Sequence, residues 1–211
     1  MDLQSSSRQS SPAPLPAPPP APGADRYPAL DFANTALTMP GGVRLDLLGS
    51  PAQATSWLVD RRLAPPDAEL LELCAGRLRT LRDHVRELIA ARIDGGAPPA
   101  SALAALNDAL TLAPAVELLG WDEATGPHRV PVHPADRVAD HAMARLAADA
   151  ADLLTGAEAD RLAGCGAGDC SRYLLRTHAA RHWCSVRCGD RIRAARSYAR
   201  RTQGSGARIE G

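Results

Sequence analysis

Apolar residues recur along this chain in blocks, and most of the blocks keep a helical period. The first block opens near Tyr27, where Leu30, Phe32, Ala33 and Leu37 predict a short helix or turn. Beyond Pro40-Gly41-Gly42, the loose alternation from Val43 to Leu48 reads as a short extended piece. Ser50-Pro51 sets an N-cap hydroxyl ahead of a proline at the first helical position. The helix it starts carries Ala54, Trp57 and Leu58 on one face and ends near Arg62.

Pro65-Pro66-Asp67 is read as the opening of the longest helix. Its inward stripe is Leu70, Leu71, Leu73, Cys74, Leu78, Leu81, Val85, Leu88, Ile89 and Ile93, and Gly95-Gly96 stops it. Leu103, Leu106 and Leu110 imply a further helix over about Pro99 to Leu110. The helical period is then lost. Val116, Leu118 and Leu119 on one side and Arg129 to Val132 on the other flank a turn, which predicts a β-hairpin. Pro134 and Asp136 start another helix, with Val138, Met143, Leu146, Ala150 and Leu153 inward, that runs to about Leu154. The pattern as a whole predicts a mainly α fold with a small β-hairpin (α+β) over residues 27–156. Residues 157–164 read as a linker to a small module at 165–202.

The two ends differ from the body in composition. Residues 1–24 are almost wholly Ser, Pro, Ala and Gln, which predicts a disordered tail, and 203–211 read as a flexible one. Of the 211 residues, 45% are hydrophobic and only 3% aromatic, so the core must be built from Leu, Ala and Val. No signal peptide and no apolar run of membrane-spanning length is visible, which predicts a cytoplasmic chain with reduced thiols and no membrane partner.

Charge divides the chain more sharply than composition does. All 24 basic residues are Arg, as a GC-rich coding sequence would give, and they balance 24 acids. Yet residues 165–202 hold nine Arg against Asp169 and Asp190, a net +7, whereas residues 1–164 hold fourteen Arg against 21 acids, a net −7. A basic module on an acidic body points to an anionic partner for the module.

That module also holds four of the five cysteines. Cys165 and Cys170 form one close pair, Cys184 and Cys188 another, and thirteen residues lie between the pairs. Two short loops delivering two thiolates each suit a tetrahedral Zn2+. Glycines in the first turn free backbone amides for the sulfurs, residues 171–177 can form a strand, and the second pair sits at the start of a helix through Arg201. Four thiolates leave no open position for a catalytic water, so the metal is read as structural. An iron–sulfur cluster is the competing reading, and His178 or His182 could replace a cysteine. Cys74 stands apart within a helical pattern and is read as a buried structural thiol.

The helix after the second pair carries Arg187, Arg191, Arg193, Arg196, Arg200 and Arg201. Guanidinium groups bind phosphate oxygens and guanine edges, which makes these six the candidate DNA contacts. In the body, Asp31, Asn34 and Asp46 are the polar side chains on which an enzymatic site would have to rest. No nucleophile–base pair or phosphate loop accompanies them, so the chain is read as non-enzymatic. Asp31 and Asn34 remain candidate ligand contacts, with helix capping or a buried hydrogen bond as the competing account.

Trp183-Cys184-Ser185-Val186-Arg187-Cys188-Gly189-Asp190-Arg191, followed by Arg196, Tyr198 and Arg200-Arg201, resembles the CGNR zinc finger. Upstream, Leu30-Asp31-Phe32-Ala33-Asn34-Thr35 resembles the L-D-F-x-N-T opening of the associated N-terminal domain, called ABATE, and the segment from Ser50-Pro51 to Trp57-Leu58 matches its style. The resemblance implies a treble-clef-like finger as DNA-binding element and a stress-responsive transcription regulator. A small-molecule effector, a protein partner or a homodimer would engage the N-terminal domain. Asp190 departs from the family's Asn and adds a negative charge beside Arg191. The rival reading is a protein-interaction adaptor whose finger is purely structural.

Overall fold

A computed structural model describes residues 18–39, 42–113, 117–131 and 137–206. Helix α1 (Pro28–Ala33) begins at a proline and ends at Asn34. Leu37, read from the sequence as part of that helix or turn, lies instead in strand β1 (Ala36–Met39). Strand β1 pairs antiparallel with β2 (Val43–Asp46), the extended piece that the alternation predicted. Helix α2 (Pro51–Asp60) starts as expected, with the Ser50 hydroxyl accepting from the Gln53 amide at 3.3 Å.

Helix α3 (Glu72–Asp94) is the longest, but it begins later than Pro66. The Leu70 amide donates to the Thr55 hydroxyl at 3.1 Å, which holds the chain extended through Leu71. Leu70 is buried, whereas Leu71 and Leu73 point into solvent rather than joining the inward stripe. At the far end Gly95 takes φ +69, and the Gly96 amide donates to the Ala91 carbonyl to close the helix. In α4 (Ala100–Thr111) the buried residues are Ala102, Leu106 and Ala109, and both Leu103 and Leu110 are exposed.

The expected hairpin is present as β3 (Glu117–Asp122) and β4 (Gly126–Pro131), paired from Glu117–Pro131 to Asp122–Gly126. Helix α5 (Val138–Thr155) follows, while Pro134 and Asp136, expected to start it, lie outside the described residues. Its inner face is rich in alanine (Ala142, Ala147 and Ala150 beside Met143, Leu146 and Leu153), so α1, α3 and α4 can all approach closely. Burial fixes the centre of the body at Leu30, Phe32, Leu48, Leu58, Leu78, Val85, Ile89, Leu146 and Leu153. Asp149 on α5 accepts from the Ala29 amide at 2.6 Å, and burial pushes its carboxyl up to about 6.

Residues 157–164 are not a bare linker. They form a 3-10 turn (Ala159–Arg161) and strand β5 (Leu162–Gly164), which pairs antiparallel with β6 (Tyr173–Leu175). The fold is mainly α with, among the described residues, three two-stranded antiparallel sheets, one of which is the predicted hairpin. The last described element, α6 (Val186–Gly206), begins within the second cysteine pair, where the sequence places a helix start.

Candidate metal centre

The β5–β6 ribbon has two faces because side chains alternate along a strand. Leu162 and Leu175, a cross-strand pair, join the core of the helical body. Ala163 and Leu174, the next pair, turn the other way and pack with Ala167, Cys184 and Cys188 in a second, smaller core. The ribbon thus welds the metal module to the body.

Cys165 and Cys170 lie in the connection between the strands. The Cys165 amide donates to Arg172 O at 2.8 Å, Cys170 N to Ala167 O at 2.8 Å, and Gly166 N to His182 O at 2.7 Å. The backbone at Ala167 and at Arg172 favours the thiolate form of Cys165 and Cys170 respectively. Cys184 donates its own amide to Cys165 Sγ at 3.4 Å. Ser185 caps α6 by accepting from Cys188 N at 3.3 Å, which sets Cys188 in the first turn.

These contacts bring four sulfurs within 4.8 Å of one another, as the cysteine spacing predicted. Cys170 Sγ to Cys184 Sγ and Cys184 Sγ to Cys188 Sγ are each 3.7 Å. A disulfide would need about 2.05 Å. Four thiolates at about 2.3 Å around a tetrahedral ion lie about 3.8 Å apart, so the donor set fits a metal. A thiolate at Cys165 is favoured by hydrogen bonds from its thiol neighbours, Cys170 and Cys184, and the hydrogen bond with Cys165 pushes the Cys184 thiol up to about 11. Only a cation at the centre lets all four become thiolates together. His178 and His182 do not join the cluster among the described residues.

Two further parts of the centre were not foreseen. Arg172 is 4% exposed and donates to Cys184 Sγ at 3.8 Å and to Pro19 O at 2.7 Å. A buried guanidinium beside a four-thiolate ion offsets its excess negative charge. Residues 18–24, read from the sequence as the end of a disordered tail, form a strap across the module. Ala21 is buried against Ala163, Leu174 and the cysteines, and Leu175 N donates to Pro22 O at 2.8 Å. Gly23 takes φ +91, and a Cβ there would lie 2.7 Å from Leu175 Cδ1. Gly23→Val is therefore expected to lower stability by about 1–3 kcal/mol, read as an earlier thermal midpoint. An unchanged midpoint would show that the strap contributes nothing.

The sequence of the helical body and of this module has a counterpart. A family model named ABATE, described as "Putative stress-induced transcription regulator", matches residues 27–157, more than half of the chain. The chain belongs to the ABATE family. The model of the CGNR zinc finger matches residues 161–201 of the same ABATE protein, so it takes in β5. None of the curated proteins searched matches the chain.

In this ABATE protein the family-like opening Leu30 to Thr35 serves the junction with the finger. Asn34, 3% exposed, donates Nδ2 to Tyr173 O at 2.9 Å and accepts from Tyr173 N at 2.8 Å. One amide side chain thereby does for β6 what a neighbouring strand would do. Arg86 on α3 completes the joint by donating to Ala33 O at 2.5 Å and Ser171 O at 3.0 Å, with its guanidinium 5.0 Å from the Tyr173 ring. Asp31 pairs with Arg61, which stacks on Trp57, and Asp46 accepts from the buried Arg82 at 2.7 Å. The three body residues singled out in the sequence are thus engaged within the fold.

The six arginines of α6 divide into two sets. Arg191 pairs with Asp169 in the first cysteine loop and ties the helix to it. Arg193 pairs with Asp190 and lies 5.6 Å from the Trp183 ring, in contact with the space above Gly189. Asp190 therefore engages Arg193 rather than Arg191. Arg187, Arg196, Arg200 and Arg201 are exposed and make no ion pair among the described residues.

Proposed function

We propose that this ABATE protein is a non-enzymatic transcription regulator whose structural zinc pins α6 for insertion into a groove of duplex DNA. The observation that carries this reading is the exposure of α6 beyond Arg193. Ala194, Ala195, Arg196, Tyr198, Ala199, Arg200 and Arg201 are exposed, and Ser197 is half-buried. A helix so largely exposed to water is marginal, and it is suited to being buried by a partner. Its exposed charges are all positive, and that partner is read as polyanionic. At 1.5 Å per residue, Ala194–Gly206 extends about 20 Å, enough to lie across a major groove.

Fluorescence anisotropy with zinc-loaded protein and duplex DNA tests the reading. Log affinity should fall with log salt at a slope near −3 to −4 if the four exposed arginines meet phosphates. Arg196→Ala and Arg200→Ala should each weaken binding and flatten the slope by about one. Zinc-loaded protein that ignores DNA at low salt would end the proposal. Binding to an acidic protein surface instead would support the adaptor reading.

A further inference from the structure

The strap at residues 18–24 and the second cysteine pair share one small core. Ala21 is buried in it with Cys184 and Cys188, which are 3% and 5% exposed, whereas Cys165 and Cys170 are only half-buried. The two pairs of ligands therefore differ in access. Arg172 joins the strap to the sulfurs. Its guanidinium donates to Cys184 Sγ and to Pro19 O, and its buried Nε has no hydrogen-bond partner among the described residues. A buried charge is costly unless it is paired and hydrogen-bonded, so both contacts are needed to keep the guanidinium in place.

The strap itself is lightly held. Four of its seven residues are prolines, which lack an amide proton, so it binds the module through carbonyls. Pro19 O accepts from Arg172 and Pro22 O from Leu175 N, and Ala21 is its residue in the small core. Behind it, hydrogen bonds from Ala24 N to Ala21 O and from Tyr27 N to Gly23 O, with an ion pair between Arg26 and Glu158, anchor it to the body. A segment held by so few contacts opens locally far more often than the whole fold unfolds.

We propose that the strap is a latch on the metal: it sets the rate at which the ion leaves, by closing over Cys184 and Cys188 and by holding Arg172 against Cys184 Sγ. A competing chelator must displace the thiolates in turn. It reaches Cys165 and Cys170 from solvent, but Cys184 and Cys188 give up the ion only when the strap lifts. Lifting also frees Arg172 from Pro19 O and so withdraws the donor that offsets the charge on the sulfur. Whatever takes hold of the strap therefore releases the ion while the helical body, whose core contains no strap residue, stays folded. The inference rests on the four-cysteine metal reading and is independent of DNA binding.

Zinc transfer from the full-length, zinc-loaded protein to an excess of a chromogenic chelator tests the latch. In the wild type the transfer rate should level off as chelator rises, because strap opening becomes limiting. Ala21→Glu, which puts a charge where the small core cannot hold one, and Arg172→Ala should each raise this rate roughly tenfold or more, and Arg172→Ala should also weaken zinc affinity about 10–100-fold. The double variant should fall well short of the product of the two single effects, since the strap and Arg172 share one contact. Amide exchange identifies the moving part. In Ala21→Glu the Leu175 amide, bonded to Pro22 O, should lose protection while the Arg176 amide, bonded to Arg161 O, keeps it. A wild-type rate that climbs in proportion to chelator throughout, or variants that release zinc as slowly as the wild type, would overturn the latch alone. A chain that binds no zinc would overturn the metal centre itself, and the latch with it.

Discussion

Removing the metal, or replacing Cys184 by Ser, is expected to unfold the carboxyl-terminal module while the helical body keeps most of its secondary structure. The module's own core is small: Ala21, Ala163, Ala167 and Leu174 are the buried apolar residues that pack with its cysteines among those described. Structural zinc supplies about 10 kcal/mol or more in fingers of this size, far beyond what four such side chains contribute. Circular dichroism should show loss of the α6 signal on chelation, and proteolysis should begin between Cys165 and Arg201. Proton competition follows the same logic. Each ligand must give up its proton to bind, so metal release should steepen as pH falls. Cys74→Ser serves as the control, because Cys74 lies outside the cluster and packs against the body core. A chelated protein that retains α6 and resists protease would sink the idea.

The second large effect is expected at Asn34. Asn34→Ala leaves Tyr173 N and O without the partners that now lie at 2.8 and 2.9 Å. Each orphaned group in this part-buried joint costs about 1–2 kcal/mol, so the pair should cost about 2–4. For a chain of this length that corresponds to roughly 5–12 °C in the thermal midpoint. Asn34→Asp keeps the acceptor for Tyr173 N but turns a second oxygen toward Tyr173 O, and it should be no better tolerated. Metal content should stay stoichiometric in both variants, since Asn34 touches no ligand. An Asn34→Ala protein as stable as the wild type would refute the clamp.

The cluster of cysteines was legible because chemistry fixes its spacing locally: each pair lies in one turn, and only the meeting of the pairs is long-range. Helix α2 was legible from its cap and its period, and α5 from its period alone. The start of α3 was misplaced because Leu71 and Leu73 continue a leucine run whose outward orientation depends on Thr55 holding Leu70 from another helix. The strap was hidden by composition. A Pro- and Ala-rich stretch offers no periodicity, and the burial of Ala21 is decided by partners far along the chain. Arg172 could have been found, because alternation from the buried Leu174 places it on the same face of the ribbon. Asn34 carried a motif signal but no chemical one, since its partners are backbone atoms of Tyr173 that any residue there would present.

The hydrogen bond from Arg172 to Pro19 O spans 153 positions. A chain leaving the ribosome thus exposes its strap early and its cysteines late, and the helical body can collapse in the interval. The strap must wait, unpaired, until β5, β6 and both cysteine pairs have emerged. Assembly of the metal centre is therefore a late step that must await the emergence of Cys188. A product truncated before Cys184 holds half a ligand set, an unseated strap and an exposed Leu174, the features by which quality-control proteases recognise an unfinished chain.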